Sequence, residues 1–207
     1  MTNIRGRGAR RQGAGTRAQL LHATVALMAE QGIDRVRTRS IAERAGVNPA
    51  LVHYHFGSVS ALVLAAAQDA LLRTLGPSLE AFQSGATLGD SIRAMLRWVD
   101  RFGRATPGSV ILAEAMVKAT RNRAFRKWAT QASRRFRSII EERLRAARQA
   151  GELDPGQGLG ATAVVLAAAL DGLLFHRLVD PRLDVMQAAG PLEALVTGAR
   201  RGHGRRG

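Results

Sequence analysis

The chain has 207 residues, 46% of them hydrophobic, which suits one medium domain or a small head on a larger body. It contains no cysteine, and that excludes a disulfide framework, a thiolate metal site and a cysteine nucleophile. Lysine and arginine number 31 against 16 aspartates and glutamates, a net charge of +15 that favours a polyanionic partner: nucleic acid first, an anionic membrane surface second.

Residues 1–15 are rich in glycine and arginine, lack the apolar stretch of a secretory signal, and read as a disordered basic tail. The first helix is expected to start at Thr16, where Thr16-Arg17-Ala18-Gln19 fits a capping box, and to end at Gly32. A short second helix should run from Thr38 to Ala45, with Gly46 as its stop. A third follows, with Asn48 as N-cap and Pro49 at the first helical position, and closes near Phe56-Gly57. Ser58 should cap a long apolar helix that "LGPS" breaks after about Leu75. Further helices are expected at 78–84, 88–104, 108–119, 122–150, 157–179 and 184–198, separated by "TPG", "AGELDPGQG" and "DPR". Residues 198–207 read as a second disordered basic tail. The fold class is therefore all-α: an N-terminal three-helix head over 16–62 on a larger C-terminal helical body over 63–197.

The charge is unevenly spread. Residues 1–76 carry ten basic and four acidic groups, residues 77–150 fifteen and six, and residues 151–207 six of each. In the middle segment the excess fits either a polyanion-binding face or an arginine-rich solvated surface.

Two short helices joined by a glycine turn are the helix-turn-helix pattern, and an αα-hairpin inside a bundle shares that spacing. In "RTRSIAERAGVNPALVHYHF", Ala42 is small where the helices approach, and Ile41, Val47, Val52 and Phe56 can lock the pair to the first helix. At about 100° per residue, Val52 and Phe56 define the buried side of the third helix. Ala50 and Tyr54 then face outward, Leu51 and His53 flank them, and His55 lies on an edge. That outward face holds no carboxylate and suits the major groove.

On Arg17, Leu20-Leu21, Ala23, Leu27, Gly32, Arg39, Ile41-Ala42, Ala45-Gly46-Val47, Val52, Tyr54-His55-Phe56, Ser58 and Leu62, the head resembles that of the TetR family of bacterial transcriptional regulators, over about a quarter of the chain. The resemblance implies a cytoplasmic, ligand-responsive repressor that binds an inverted-repeat operator in double-stranded DNA as a homodimer. It also implies a small-molecule effector pocket in the body, with no cofactor and no membrane. By position, Arg17, Thr38 and Arg39 would touch phosphates or a base edge. Asn48, Pro49, Ala50, Leu51, His53 and Tyr54 would form the reading surface. Two positions depart from the pattern: Val59 stands where relatives often carry lysine, and His53 where they often carry tyrosine. The tail arginines Arg5, Arg7, Arg10 and Arg11 are candidates to supply the missing charge.

In the body, "LGATAVVLAAALDGLLF" is apolar on every side, as expected of a helix buried all round, and "ALDGLLFHRLVDP" resembles the family's late dimer-forming helix. Met95, Trp98, Phe102, Met116 and Trp128 are either core or pocket-lining residues. Asp171 interrupts the apolar helix and needs a partner, from a neighbouring helix, a partner subunit or a ligand. His176 reads as a core or interface residue. No catalytic frame is present, and His53 and His55 diverge on their helix and cannot share a metal. The competing reading is a non-specific architectural DNA binder.

Overall fold

The computed structural model describes residues 4–104, 106–154, 156 and 158–198, with side chains from Ala14 onward. Nine α-helices and no strands occur among them: α1 Ile4–Gln31, α2 Thr38–Ala45, α3 Ala50–Phe56, α4 Val59–Gln83, α5 Leu88–Phe102, α6 Pro107–Ala119, α7 Arg123–Gln149, α8 Leu159–Val179 and α9 Ala189–Thr197. Short 3₁₀ turns at Ile33–Arg35 and Val185–Ala188 precede α2 and α9.

Local chemistry sets several of these boundaries. Gly46 closes α2 in the left-handed conformation (φ 65°, ψ 34°), and the Val47 N–H returns to the Ala42 carbonyl at 3.0 Å. The expected start of α3 shifts by one residue: Pro49, not Asn48, is the cap position and Ala50 the first helical residue, while Asn48 Oδ1 accepts from Ala50 N at 2.8 Å just ahead of it. Ser58 Oγ accepts from Ala61 N at 3.1 Å and opens α4. Thr87 opens α5 in a reciprocal box with Asp90, each side chain accepting from the other's backbone N–H.

Three further expectations need correction. Thr16 is not a cap, because α1 is already helical from Ile4; once a helix is nucleated, each added residue costs little. The expected loose tail is thus helical from Ile4 to Gly15, while the side chains of Arg5, Arg7, Arg10 and Arg11 and residues 199–207 lie outside the described residues. Pro77 does not break α4, which absorbs the expected helix at 78–84. A proline there leaves the Arg73 carbonyl without its usual donor. The Trp98 indole N–H donates at 3.0 Å to the adjacent Thr74 carbonyl, so tertiary contact offsets the local break. Finally, α8 is not buried all round: Leu166, Leu170 and Leu174 are inside, but Val164, Val165, Phe175 and Val179 are exposed.

The chain divides into two compact units that do not follow chain order. The first holds the described residues up to Arg73 together with Pro107–Arg126. Its core joins Leu20, Leu27 and Met28 of α1 to Ile41, Val52 and Leu62, with Ile111 and Ala115 from α6. The second holds Thr74–Thr106 and the described residues from Lys127 onward. It is built on Leu88, Ile92, Met95, Val99 and Phe102 of α5, against Leu166 and Leu170 of α8 and Leu192 and Val196 of α9. Two buried arginines brace this second unit. Arg143 donates to Ser91 Oγ at 2.8 Å and to the Gly85 carbonyl at 3.2 Å. Arg177 donates to Asp100 at 3.1 Å and to the Pro181 carbonyl. By length and composition α4 and α8 would each suffice to cross a membrane. Here both bury a face within the fold, through Leu62, Val63 and Ala66 in one and Leu166 and Leu170 in the other.

Candidate nucleic-acid interface

The first unit presents α3 much as its periodicity demands. Val52 is wholly buried, while Tyr54 is 81% exposed, with Ala50 and His53 also outside and Leu51 and His55 at the margins. Phe56 differs from expectation: it is only half-buried, and the Arg17 guanidinium lies over its ring, 4.9 Å from the centroid. The Tyr54 and His55 rings meet edge to face at 5.0 Å.

His53 has a defined polarity. Its Nδ1 lies 3.2 Å from the Gly57 carbonyl, and a carbonyl can only accept, so Nδ1 carries the proton. In that neutral tautomer Nε2 is left as an acceptor, suited to a base amino group rather than to a phosphate.

Around α3 the cations differ in their freedom. Arg39, exposed at the start of α2, pairs with Glu43 at 2.9 Å; an exposed pair of this kind is weak and readily traded for a phosphate. Arg44 makes two bonds of 2.7 Å to Glu30, which tie α2 to α1 and hold the Glu30 carboxyl below its usual range. Arg37 spends its guanidinium on the carbonyls of Asp34 and Val36. Thr38 and Arg39 line an open groove of about 460 Å³ whose other walls are Ala42, Glu43, Gly46, Val47 and Pro49. Thus Arg17, Thr38, Arg39, Asn48, Pro49, Ala50, Leu51, His53 and Tyr54 all fall on this one unit, around α3 and the start of α2.

The residues singled out in the body do not come together in this way. Met95 and Phe102 are buried on α5, and Trp98 stacks on Phe102 with centroids 4.7 Å apart and planes at 17°. Met116 belongs to the first unit and is exposed. Trp128 is half-buried on α7. Asp171 keeps access to solvent on the bare side of α8, yet partial desolvation by the protein around its carboxyl pushes it above the usual carboxylate range, partly opposed by the charge of Arg137.

Sequence reasoning missed Glu114. Its carboxylate accepts from the Ile33 N–H at 2.6 Å and so holds the turn between α1 and α2 from α6. One turn on, Lys118 pairs with Asp34 and holds that carboxyl below its usual range. A lone carboxylate within the apolar run "SVILAEAMV" was the available signal.

Comparison with known proteins agrees with this geometry. Residues 20–66 match the family described as bacterial regulatory proteins, tetR family, and residues 89–200 match the C-terminal part of BetI-type transcriptional repressors. The HTH-type transcriptional regulator BetI of Rhizobium meliloti strain 1021 is 30% identical over 162 residues, covering 78% of this chain and 77% of that protein. A transcriptional regulator of Streptomyces coelicolor A3(2) superposes with a TM-score of 0.72 at 27% identity, covering 89% of this chain and 99% of the other. A regulator from Saccharomonospora viridis, solved in complex with choline, gives a TM-score of 0.71 at 21% identity, over 87% of this chain and 94% of the other.

Proposed function

This chain belongs to the TetR family of bacterial regulatory proteins, and we propose that it is a cytoplasmic, effector-released repressor that reads an inverted-repeat operator as a homodimer. The observation that carries the DNA reading is the outward face of α3. It combines an exposed phenol, an acceptor imidazole and a small residue, no carboxylate, and flanking arginines at positions 17 and 39. Tyr54 and His53 meet base edges, Ala50 allows close approach, and Arg17, Thr38 and Arg39 grip phosphates. One seven-residue helix covers few base pairs, so specificity needs a second copy and a second half-site.

The bare stripe of α8 supports that second copy. Val164, Val165, Phe175 and Val179, with Leu195 of α9, form an apolar surface on the second unit that a two-fold partner would cover with its own equivalent. Asp171 lies in this stripe, and its partner would come from across the seam.

A small organic effector bound in the body would favour one spacing of the two heads, and only by its differential affinity for the two states. Choline, the ligand of the Saccharomonospora neighbour, is the first compound to titrate. Quaternary ammonium groups are recognised by aromatic faces, and in the second unit Trp128 is half-buried on α7 while Trp98 and Phe102 are buried and stacked on each other.

Selection of binding sites from random DNA tests the reading. A regulator of this kind enriches an inverted repeat with half-sites about one helical turn apart or more. Equal binding to scrambled duplexes would instead make it a non-specific architectural binder. Effector coupling is tested by titrating choline with and without the selected duplex, since reciprocal linkage requires DNA to weaken effector binding by the same factor that effector weakens DNA binding.

A further inference from the structure

We propose that Phe56 is a positioning residue for DNA binding: its half-buried ring is a platform that holds the Arg17 guanidinium beside the reading helix, set to meet a phosphate. This rests on the reading that α3 docks on DNA.

The argument begins with a gap in the sequence. Between Arg44 and Arg73 there is neither lysine nor arginine, so α3 and the start of α4 bring no permanent cation of their own. Cations for the phosphates beside α3 come instead from α1, α2 and the turn between them, which carries the exposed Arg35. There Arg44 is held by Glu30, Arg39 faces Glu43, and Arg37 is turned onto two carbonyls. Arg17 is different. It is exposed, no carboxylate among the described residues pairs with it, and the contact it makes is with the face of Phe56 at 4.9 Å.

An unpaired arginine in water samples many rotamers, and freezing them on contact weakens binding. A guanidinium laid on an aromatic face is already restricted, while its N–H groups stay in the ring plane direction and free for a bidentate phosphate. A carboxylate partner would restrict it equally but would have to be displaced by the DNA. Phe56 restricts the charge without neutralising it. The half-burial of Phe56 fits this double duty: Val52 one turn earlier is fully inside and serves only the core, whereas Phe56 keeps one face outside, under Arg17.

The test uses the full chain and a fluorescent duplex that it has selected from random DNA, with anisotropy measured over a range of salt. Arg17→Ala should flatten the slope of log K against log salt by about 0.9 for each phosphate it contacts. Phe56→Leu should weaken binding about 2- to 5-fold, the weight of an exposed cation–π contact. Phe56→Tyr should restore it, and Phe56→Leu should add nothing in the Arg17→Ala background. Arg17→Lys leaves the core untouched; it should keep the salt slope yet lose affinity, because an ammonium cannot offer a phosphate the bidentate fork of the held guanidinium. Equal losses from Phe56→Leu with and without Arg17 would overturn the proposal, since they would mark Phe56 as packing alone. Wild-type affinity of Arg17→Lys would overturn it too. Tyr54→Ala separates the two levels: if it weakens binding while Phe56→Leu does not, only the platform fails, and if it has no effect the docking of α3 fails with it.

Discussion

Replacing Gly32 by alanine should loosen the joint between α1 and α2. Gly32 sits at φ 84°, ψ 157°, a region that is nearly glycine-only, so any side chain there costs about 1–3 kcal/mol. The added Cβ would also lie 3.2 Å from Glu114 Oε1, the carboxylate that accepts the Ile33 N–H at 2.6 Å. Displacing it weakens a hydrogen bond to a charged group, worth about 1.5–3 kcal/mol. Together the substitution should cost up to about 6 kcal/mol and at least about 2.5, or roughly 5–24 °C in Tm for a chain of this size. Gly46→Ala is the control: it also has positive φ (65°) but nothing within 4 Å of the new carbon, so it should cost about 1–2 kcal/mol. Glu114→Gln retains an acceptor without charge and should fall between wild type and Gly32→Ala. Thermal melts followed by circular dichroism decide the matter. If Gly32→Ala melts no lower than Gly46→Ala, Glu114 does not hold the joint.

Tyr54→Ala and His53→Ala should each weaken binding to the selected duplex by about 1–3 kcal/mol with Tm unchanged, because both side chains are exposed. Paired charges at Val164 and Phe175 should convert a dimer to monomers in light-scattering chromatography; an unaltered mass would exclude the α8 stripe as the seam. The carboxyls of Glu30, Asp34 and Asp100 are held low chiefly by hydrogen bonds from Arg44, Lys118 and Arg104. Their stabilising effect is present above the ordinary carboxylate range and is lost as pH falls below about 4. Asp171 has the opposite sign: with its carboxyl pushed up, its contribution is fullest at low pH and is lost as pH rises through the folded-state value. Asp171→Asn should therefore gain Tm over wild type at neutral pH and lose that advantage in acid.

The head was legible because its boundaries rest on local chemistry. Gly46, Asn48 and Ser58 each act within four residues of themselves, and α3 has one buried direction that Val52 declares. Other features depended on groups far along the chain. Pro77 looks like a stop until Trp98 donates to the Thr74 carbonyl, and Phe56 looks like plain core until Arg17 covers it. Apolar composition in α8 revealed that burial was needed but not what would supply it; one side packs on α5 and the other is bare. The body residues were the least readable, since Trp98 and Phe102 stack on each other and would look the same in a core or beside a ligand.

Tyr54 is the chain's sole tyrosine, and it stands at the centre of the surface assigned to DNA. The two tryptophans belong to the other unit. The molecule therefore carries separate optical and magnetic labels for its two tasks without any engineering. Fluorotyrosine incorporated during growth would yield one fluorine resonance, reporting whether a head is docked. Tryptophan emission would follow the second unit in the same sample.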